Sequence, residues 1–238
     1  MPTYPGQIAL PLRLRPQARF DDFVPGPNAL AVAALRRAVE LHNEPYLLLF
    51  GPPGTGKSHL LHAACQAAIA RGDTAVYIPL SEPELSPPVL ADLEQIRLIA
   101  LDDIDRICGD VAWEQGVFNL YNRLREKARS LLISADRPAA ELPLRLADLR
   151  SRLTWGPAFR LQPLSDPDCE TLLRRAALAR GLELGEASIS YIMRRSVRDT
   201  RSLLAIIDAL DEASLREKRR PTIPMIRELL DRSNGELE

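Results

Sequence analysis

The chain has 238 residues, 46% of them apolar, enough for one large or two small domains with packed cores. Its 31 basic and 32 acidic side chains leave a formal net charge of −1, which excludes the broad basic surface that autonomous, tight DNA binding requires. No stretch reaches the ~20 consecutive apolar residues of a membrane span, no apolar signal-peptide core opens the chain, and Cys65, Cys108 and Cys169 have neither disulfide-framework nor metal-ligand spacing, so a cytoplasmic protein with reduced thiols is expected.

Residues 1–19 hold Pro2, Pro5, Pro11 and Pro16, one glycine and no acid, a composition that resists helix and reads as a flexible leader. Order is expected from Phe20. After the turn at Pro25-Gly26-Pro27, with Asn28 as cap, the spacing of Leu30, Ala33, Ala34, Val39 and Leu41 predicts an amphipathic helix over Ala29 to Leu41. Tyr46-Leu47-Leu48-Leu49-Phe50 is a continuous apolar run, the signature of a strand buried on both faces of a parallel sheet.

A helical period follows over Ser58–Arg71, then strands at Thr74–Ile78, Leu98–Leu101 and Leu131–Ser134, with a helix from about Trp113 to Ala128 before the last. Alternation of this kind predicts an α/β doubly wound sheet. Past Pro163 the strand signals stop. Helices are predicted near 168–179, 186–195, 200–217 and 223–230, the first started by Ser165-Asp166-Pro167. The expected organisation is therefore a leader (1–19), an α/β domain (20–163) and a small all-helical domain (164–238).

Gly51-Pro52-Pro53-Gly54-Thr55-Gly56-Lys57-Ser58 matches GxxxxGK[ST] and stands between a predicted buried strand and a predicted helix. Glycines let backbone N–H groups turn around phosphate oxygens, the helix start adds its dipole, Lys57 reaches the terminal phosphates, and Ser58 can hold Mg²⁺. Lysine is scarce here: Lys57, Lys127 and Lys218 stand against 28 arginines. A lysine in the loop therefore points to a compact charge for phosphate.

Leu98-Ile99-Ala100-Leu101 ends in Asp102-Asp103, the carboxylate pair expected of a second nucleotide motif. Asp102 would orient Mg²⁺ and its waters, and Asp103 stands where a water-activating acid belongs. At the next strand end, Ser134 or Asp136 would sense the terminal phosphate, since open α/β sheets bind ligands at this edge.

Together the phosphate loop, paired acids, polar strand end and helical lid resemble the AAA+ superfamily, and within it the DnaA/Hda family of bacterial replication proteins. Gly56-Lys57-Ser58-His59-Leu60-Leu61-His62-Ala63 is similar to that family's loop-to-helix sequence, and Phe20-Asp21-Asp22-Phe23-Val24-Pro25-Gly26-Pro27-Asn28 resembles the segment entering its nucleotide domain. The resemblance implies bound ADP or ATP with Mg²⁺, and it adds Phe23, Val24 and His59 to the nucleotide-binding set. It covers the chain essentially from end to end, without the initiator's helix-turn-helix DNA-binding domain.

The resemblance also implies partners. Gln7-Ile8-Ala9-Leu10-Pro11-Leu12 resembles the peptide by which bacterial replication proteins bind the sliding clamp, the beta subunit of DNA polymerase III. Gln7, Ile8, Leu10, Pro11 and Leu12 would make the contact, and an extended proline-containing peptide loses little entropy on docking. Leu149-Arg150-Ser151-Arg152-Leu153-Thr154-Trp155-Gly156 is similar to the segment whose arginine reaches a neighbour's nucleotide, so Arg152 would be a finger acting in trans on DnaA. Val197–Leu203 resembles the lid sensor segment, with Arg201 or Arg198 touching the nucleotide.

The function implied is negative regulation of replication initiation: clamp docking, DNA reached through the clamp, and ATP hydrolysis stimulated in DnaA to leave its inactive ADP form. Retained Lys57, Asp102 and Asp103 leave this chain's own turnover open, as they leave the alternative of an ATP-driven helicase or clamp loader. Self-association is likewise open.

Overall fold

The computed structural model describes residues 18–41 and 46–235, with side chains to 231. The leader peptide at Gln7 to Leu12 lies outside the described residues. Five parallel strands, β1 (Tyr46–Phe50), β2 (Ala75–Pro79), β3 (Leu98–Asp102), β4 (Ser130–Ala135) and β5 (Ala158–Arg160), form one sheet in the order β2-β3-β4-β1-β5. Helix α1 (Ala29–Leu41) precedes β1, and α2 (Lys57–Ala70), α3 (Val111–Glu126) and α4 (Ala147–Thr154) run between the strands.

The pleat divides the strand residues between two cores. Leu47 and Leu49 of β1, Leu98 and Ala100 of β3 and Leu132 of β4 pack against Leu35 and Val39 of α1 and Leu60 and Leu61 of α2. On the opposite face Tyr46, Leu48, Ile99, Leu101, Leu131 and Ile133 meet Val117, Leu120 and Leu124 of α3 and Leu149 and Leu153 of α4. Burial on both faces is why β1, β3 and β4 read as unbroken apolar runs. The edge strand β5 has only three residues, two of them exposed, and α4 buries only two leucines. Neither offers a pattern long enough to read from sequence.

The helical region comprises α5 (Asp166–Ala179), α6 (Glu186–Arg195), α7 (Thr200–Glu217) and α8 (Ile223–Gly235) around Leu173, Ile192, Leu203, Ile207, Leu210 and Ile226. Ser165 caps α5 through a reciprocal box with Asp168. Val24, from the entry segment, is buried in this same core. Asn28 does not cap α1 as expected. It closes a short 3-10 turn that runs straight into the helix, and its side chain bonds Gln162 instead.

The three cysteines are free thiols, and burial pushes the Cys65 thiol up to about 12, which keeps it protonated and inert. Among the described residues no helix is long and apolar enough to cross a membrane.

Candidate nucleotide site

Sheet order places the carboxyl ends of β1, β3 and β4 side by side, with β4 between the other two. The loop after β1 turns through Gly51, Gly54 and Gly56, at φ +148°, +79° and +91°. A Cβ on Gly51 would lie 2.4 Å from the Leu161 carbonyl oxygen, and one on Gly56 would lie 2.6 Å from the Phe23 ring. Only glycine satisfies both the backbone and the contact. Gly56 is the N-cap of α2 and supplies no side-chain cap, so the amides of the first turn remain directed at the loop, an anion cradle.

Lys57, 8% exposed, donates to the carbonyls of Gly51 at 2.6 Å and Pro52 at 3.0 Å, while Thr55 Oγ1 donates to Pro52 at 2.9 Å. Burial lowers the Lys57 ammonium below its ordinary value, opposed by Asp103, Asp102, Asp105 and Asp136. The four carboxylates thus hold the positive charge at the loop. Pro53 is exposed at its tip.

Asp102 ends β3 at 2% exposure. One carboxylate oxygen accepts from the Tyr77 hydroxyl at 2.5 Å, and the other accepts from Ser134. The Ser134 oxygen in turn accepts from the Asp103 amide at 2.8 Å. His62 is stacked on Tyr77 at 3.8 Å between centroids. Ser134 is thereby a strut between the two acids. Asp103 sits in the left-handed region, φ 59°. Burial raises its carboxyl above the usual range, reinforced by Asp102 and Asp105 and opposed by Lys57 and Arg106.

Asp136 is forked to Arg137 by two 2.8 Å bonds, and its amide donates to Asp105 at 3.0 Å. Arg137, half exposed, brings a cation to this edge that no sequence pattern marked. Tyr77 is marked in the sequence only as a tyrosine ring within an otherwise aliphatic strand. Ser58 in the first turn of α2 and the Asp102 carboxylate are both hard oxygen donors, suited to Mg²⁺. No group of three or more His, Cys, Asp or Glu converges on a metal position among the described residues.

Phe23 and His59 stack at 5.9 Å over the start of α2, and His59 Nε2 donates to the Arg19 carbonyl at 3.0 Å. On the lid side, a Cβ at Gly54 would come within 3.1 Å of Asp199, the N-cap of α7. Arg201 follows in the first turn, exposed. Arg198 instead clasps both oxygens of Asp166, at 2.8 and 2.7 Å.

Arg152 lies in the last turn of α4, partly exposed. Among the described residues no hydrogen bond or ion pair engages its side chain, unlike Arg150, which donates to the Leu144 carbonyl. Trp155, three residues on at the C-cap of α4, is 75% exposed.

Residues 166–230 match the family model for the Hda lid domain, and residues 14–81 and 90–160 match that for the bacterial DnaA ATPase domain. Among solved structures the chain is similar to domain III of the Thermotoga maritima replication initiation protein DnaA, at 20% identity over 92% of this chain and 98% of that one, with a TM-score of 0.81. It is similar also to AMPPCP-bound DnaA from Aquifex aeolicus, at 21% identity over 86% and 70% with a TM-score of 0.73. The RuvB Holliday junction branch migration motor of Thermotoga maritima shares the fold, at 20% identity over 92% and 73% with a TM-score of 0.69.

Proposed function

The chain belongs to the bacterial DnaA ATPase-domain family of AAA+ proteins and carries the Hda lid, and on that footing we propose that it regulates replication initiation negatively by acting on DnaA. In this reading it holds ADP, or ATP, on the Gly51–Ser58 loop, with His59 and Phe23 flanking α2. Val24 joins the entry segment to the lid core, and the lid lies beside Gly54. Arg201 is the lid sensor, because Arg198 is spent on Asp166.

Mg²⁺, when bound between phosphates, Ser58 and water oriented by Asp102, would neutralise phosphate charge. Lys57 neutralises the rest, Ser134 and Tyr77 fix the Asp102 carboxylate, and Asp103 is the acid available to orient water. Asp136 acts through Arg137 rather than as a phosphate ligand itself, since a carboxylate repels phosphate.

The observation that carries the reading is Arg152: a partly exposed guanidinium on a short helix, engaged by nothing in its own domain. An arginine delivered to a neighbour's γ-phosphate offsets charge that develops as the bond breaks, an effect of ~10³–10⁵ in rate for comparable nucleotidases. Hydrolysis then takes place in DnaA and leaves its ADP form. The leader docks through Gln7, Ile8, Leu10, Pro11 and Leu12 on the DNA-loaded sliding clamp, the beta subunit of DNA polymerase III. DNA is thus met through the clamp, in the cytoplasm at the nucleoid.

Single-turnover hydrolysis by ATP-loaded DnaA, with DNA-loaded clamp and the ADP form of this protein, tests the proposal. Acceleration that requires the clamp and is lost in Gln7→Ala supports it. Turnover confined to this chain's own nucleotide would overturn it in favour of an ATP-driven loader.

A further inference from the structure

Glu114 of α3 is a carboxylate with no exposed surface. Unmatched, such a charge would be costly. Its Oε1 accepts from the Gly109 amide at 2.7 Å and the Arg145 amide at 3.1 Å, and its Oε2 accepts from Arg145 at 2.9 Å and Leu146 at 2.7 Å. All of these donors are backbone groups, and two of the three residues immediately precede α4. Leu146 is the N-cap of that helix and has no capping oxygen of its own. A residue of a different helix therefore supplies what the Glu or Gln at N3 of a capping box ordinarily would, an acceptor for the N-cap amide and a negative charge at the positive end of the helix dipole.

The same turn is gripped from its other side. Arg150 of α4 donates to the Leu144 carbonyl, so the turn is held through the Arg145 and Leu146 amides by α3 and through the Leu144 carbonyl by α4. The helix needs such an anchor. Its eight residues bury only Leu149 and Leu153, and a segment this short has negligible stability of its own. The third amide, Gly109, belongs to the loop after the 3-10 turn that follows Asp103, so Glu114 ties α4 to the chain leaving the nucleotide edge.

Arg152 stands six positions beyond the N-cap, about 9 Å along the helix axis. We propose that Glu114 is a positioning residue for Arg152: it sets where α4 starts and how it points, and thereby places the guanidinium for the neighbouring nucleotide. The inference rests on the trans-acting role of Arg152 and adds the device that aims it. Displacement of a reacting group by about 1 Å is enough to cost on the order of 10²-fold.

The test is Glu114→Gln in the full chain. Glutamine keeps the volume and one acceptor but turns an NH₂ toward an amide donor. In the clamp-dependent hydrolysis assay with ATP-loaded DnaA, maximal stimulation is expected to fall about 10- to 100-fold. The concentration giving half stimulation and the affinity for ADP are expected to stay at wild-type values, and exchange of the Arg145 and Leu146 amides is expected to quicken at least about tenfold. On an Arg152→Ala background, Glu114→Gln is expected to cost nothing more, since both act through one group.

Wild-type stimulation by Glu114→Gln, or a loss fully additive with Arg152→Ala, would overturn the inference. So would a parallel loss of ADP affinity, which would make the carboxylate a general structural support. If Arg152→Ala alone left stimulation intact, the finger reading itself would fail, a distinguishable result. Should Glu114→Gln not fold, Arg150→Met decides by the same measurements: reduced maximal stimulation with ADP affinity intact upholds the aimed helix, and full stimulation overturns it.

Discussion

Asn28 and Gln162 lie 134 residues apart and exchange two hydrogen bonds, Asn28 Nδ2 to the Gln162 carbonyl at 2.9 Å and the Gln162 amide to Asn28 Oδ1 at 2.8 Å. The pair joins the segment entering the α/β layer to the connector that leaves β5 for the lid. Val24, four residues upstream, is already in the lid core. The entry segment thus pins the connector from one side while its neighbours contact the lid.

Asn28→Ala removes both bonds and strands two backbone groups at a site where Asn28 is 3% exposed. We expect a loss of about 1–3 kcal/mol, read as a fall in Tm of ~2–4 °C per kcal/mol for a chain of this size. Thermal denaturation with and without ADP checks it. The deficit should persist with ADP present if the pair supports the fold rather than the nucleotide.

Lys57→Ala removes the buried ammonium and leaves Asp102, Asp103, Asp105 and Asp136 facing the loop. Nucleotide affinity is expected to drop at least about 30-fold, corresponding to ~2 kcal/mol for a charge-assisted contact. Titration calorimetry with ADP measures it directly.

Gly51→Ala would set a methyl 2.4 Å from the Leu161 carbonyl oxygen at a φ of +148°. The obstacle is backbone of the segment paired to β1, which has no room to retreat. Destabilisation above about 1 kcal/mol is expected, together with weakened ADP binding, because the strain falls at the mouth of the loop. Denaturant unfolding and ADP titration of one sample test both.

Burial raises the Asp103 carboxyl, with Asp102 and Asp105 adding to it. A raised folded value means that the native state holds this proton more tightly. Asp103 therefore contributes stability below the ordinary carboxylate range and loses it as pH climbs through the raised value. Asp103→Asn, which tolerates the left-handed backbone equally well, is expected to raise Tm at pH 7. The advantage should fade as pH falls to and below the ordinary carboxylate range, where the wild-type acid is protonated in both the folded and the unfolded state. Melting curves across that interval check the sign.

Much of the fold was legible because burial imposes pattern. The runs at Tyr46–Phe50, Leu98–Leu101 and Leu131–Ser134 announced central parallel strands, and the loop glycines with a rare lysine announced the phosphate cradle. What stayed hidden depends on contacts that leave no periodic trace. Strand β5 has one inward residue, Phe159, and α4 has two leucines. Asn28 looked like a cap since capping and bridging use the same amide side chain. Glu114 was invisible because its partners are backbone amides up to 32 positions away. Tyr77 and Ser134 meet Asp102 only after β2, β3 and β4 are aligned in register.

In the proposed function Arg152 acts on a nucleotide this chain does not hold. The most direct measurement is the single-turnover rate of ATP hydrolysis by pre-loaded DnaA on DNA-loaded clamp, comparing the wild-type protein with Arg152→Ala, both saturated with ADP. We expect a clamp-dependent acceleration by the wild type that falls ~10³-fold or more in the variant, with ADP affinity unchanged. Equal acceleration by the two proteins would contradict it.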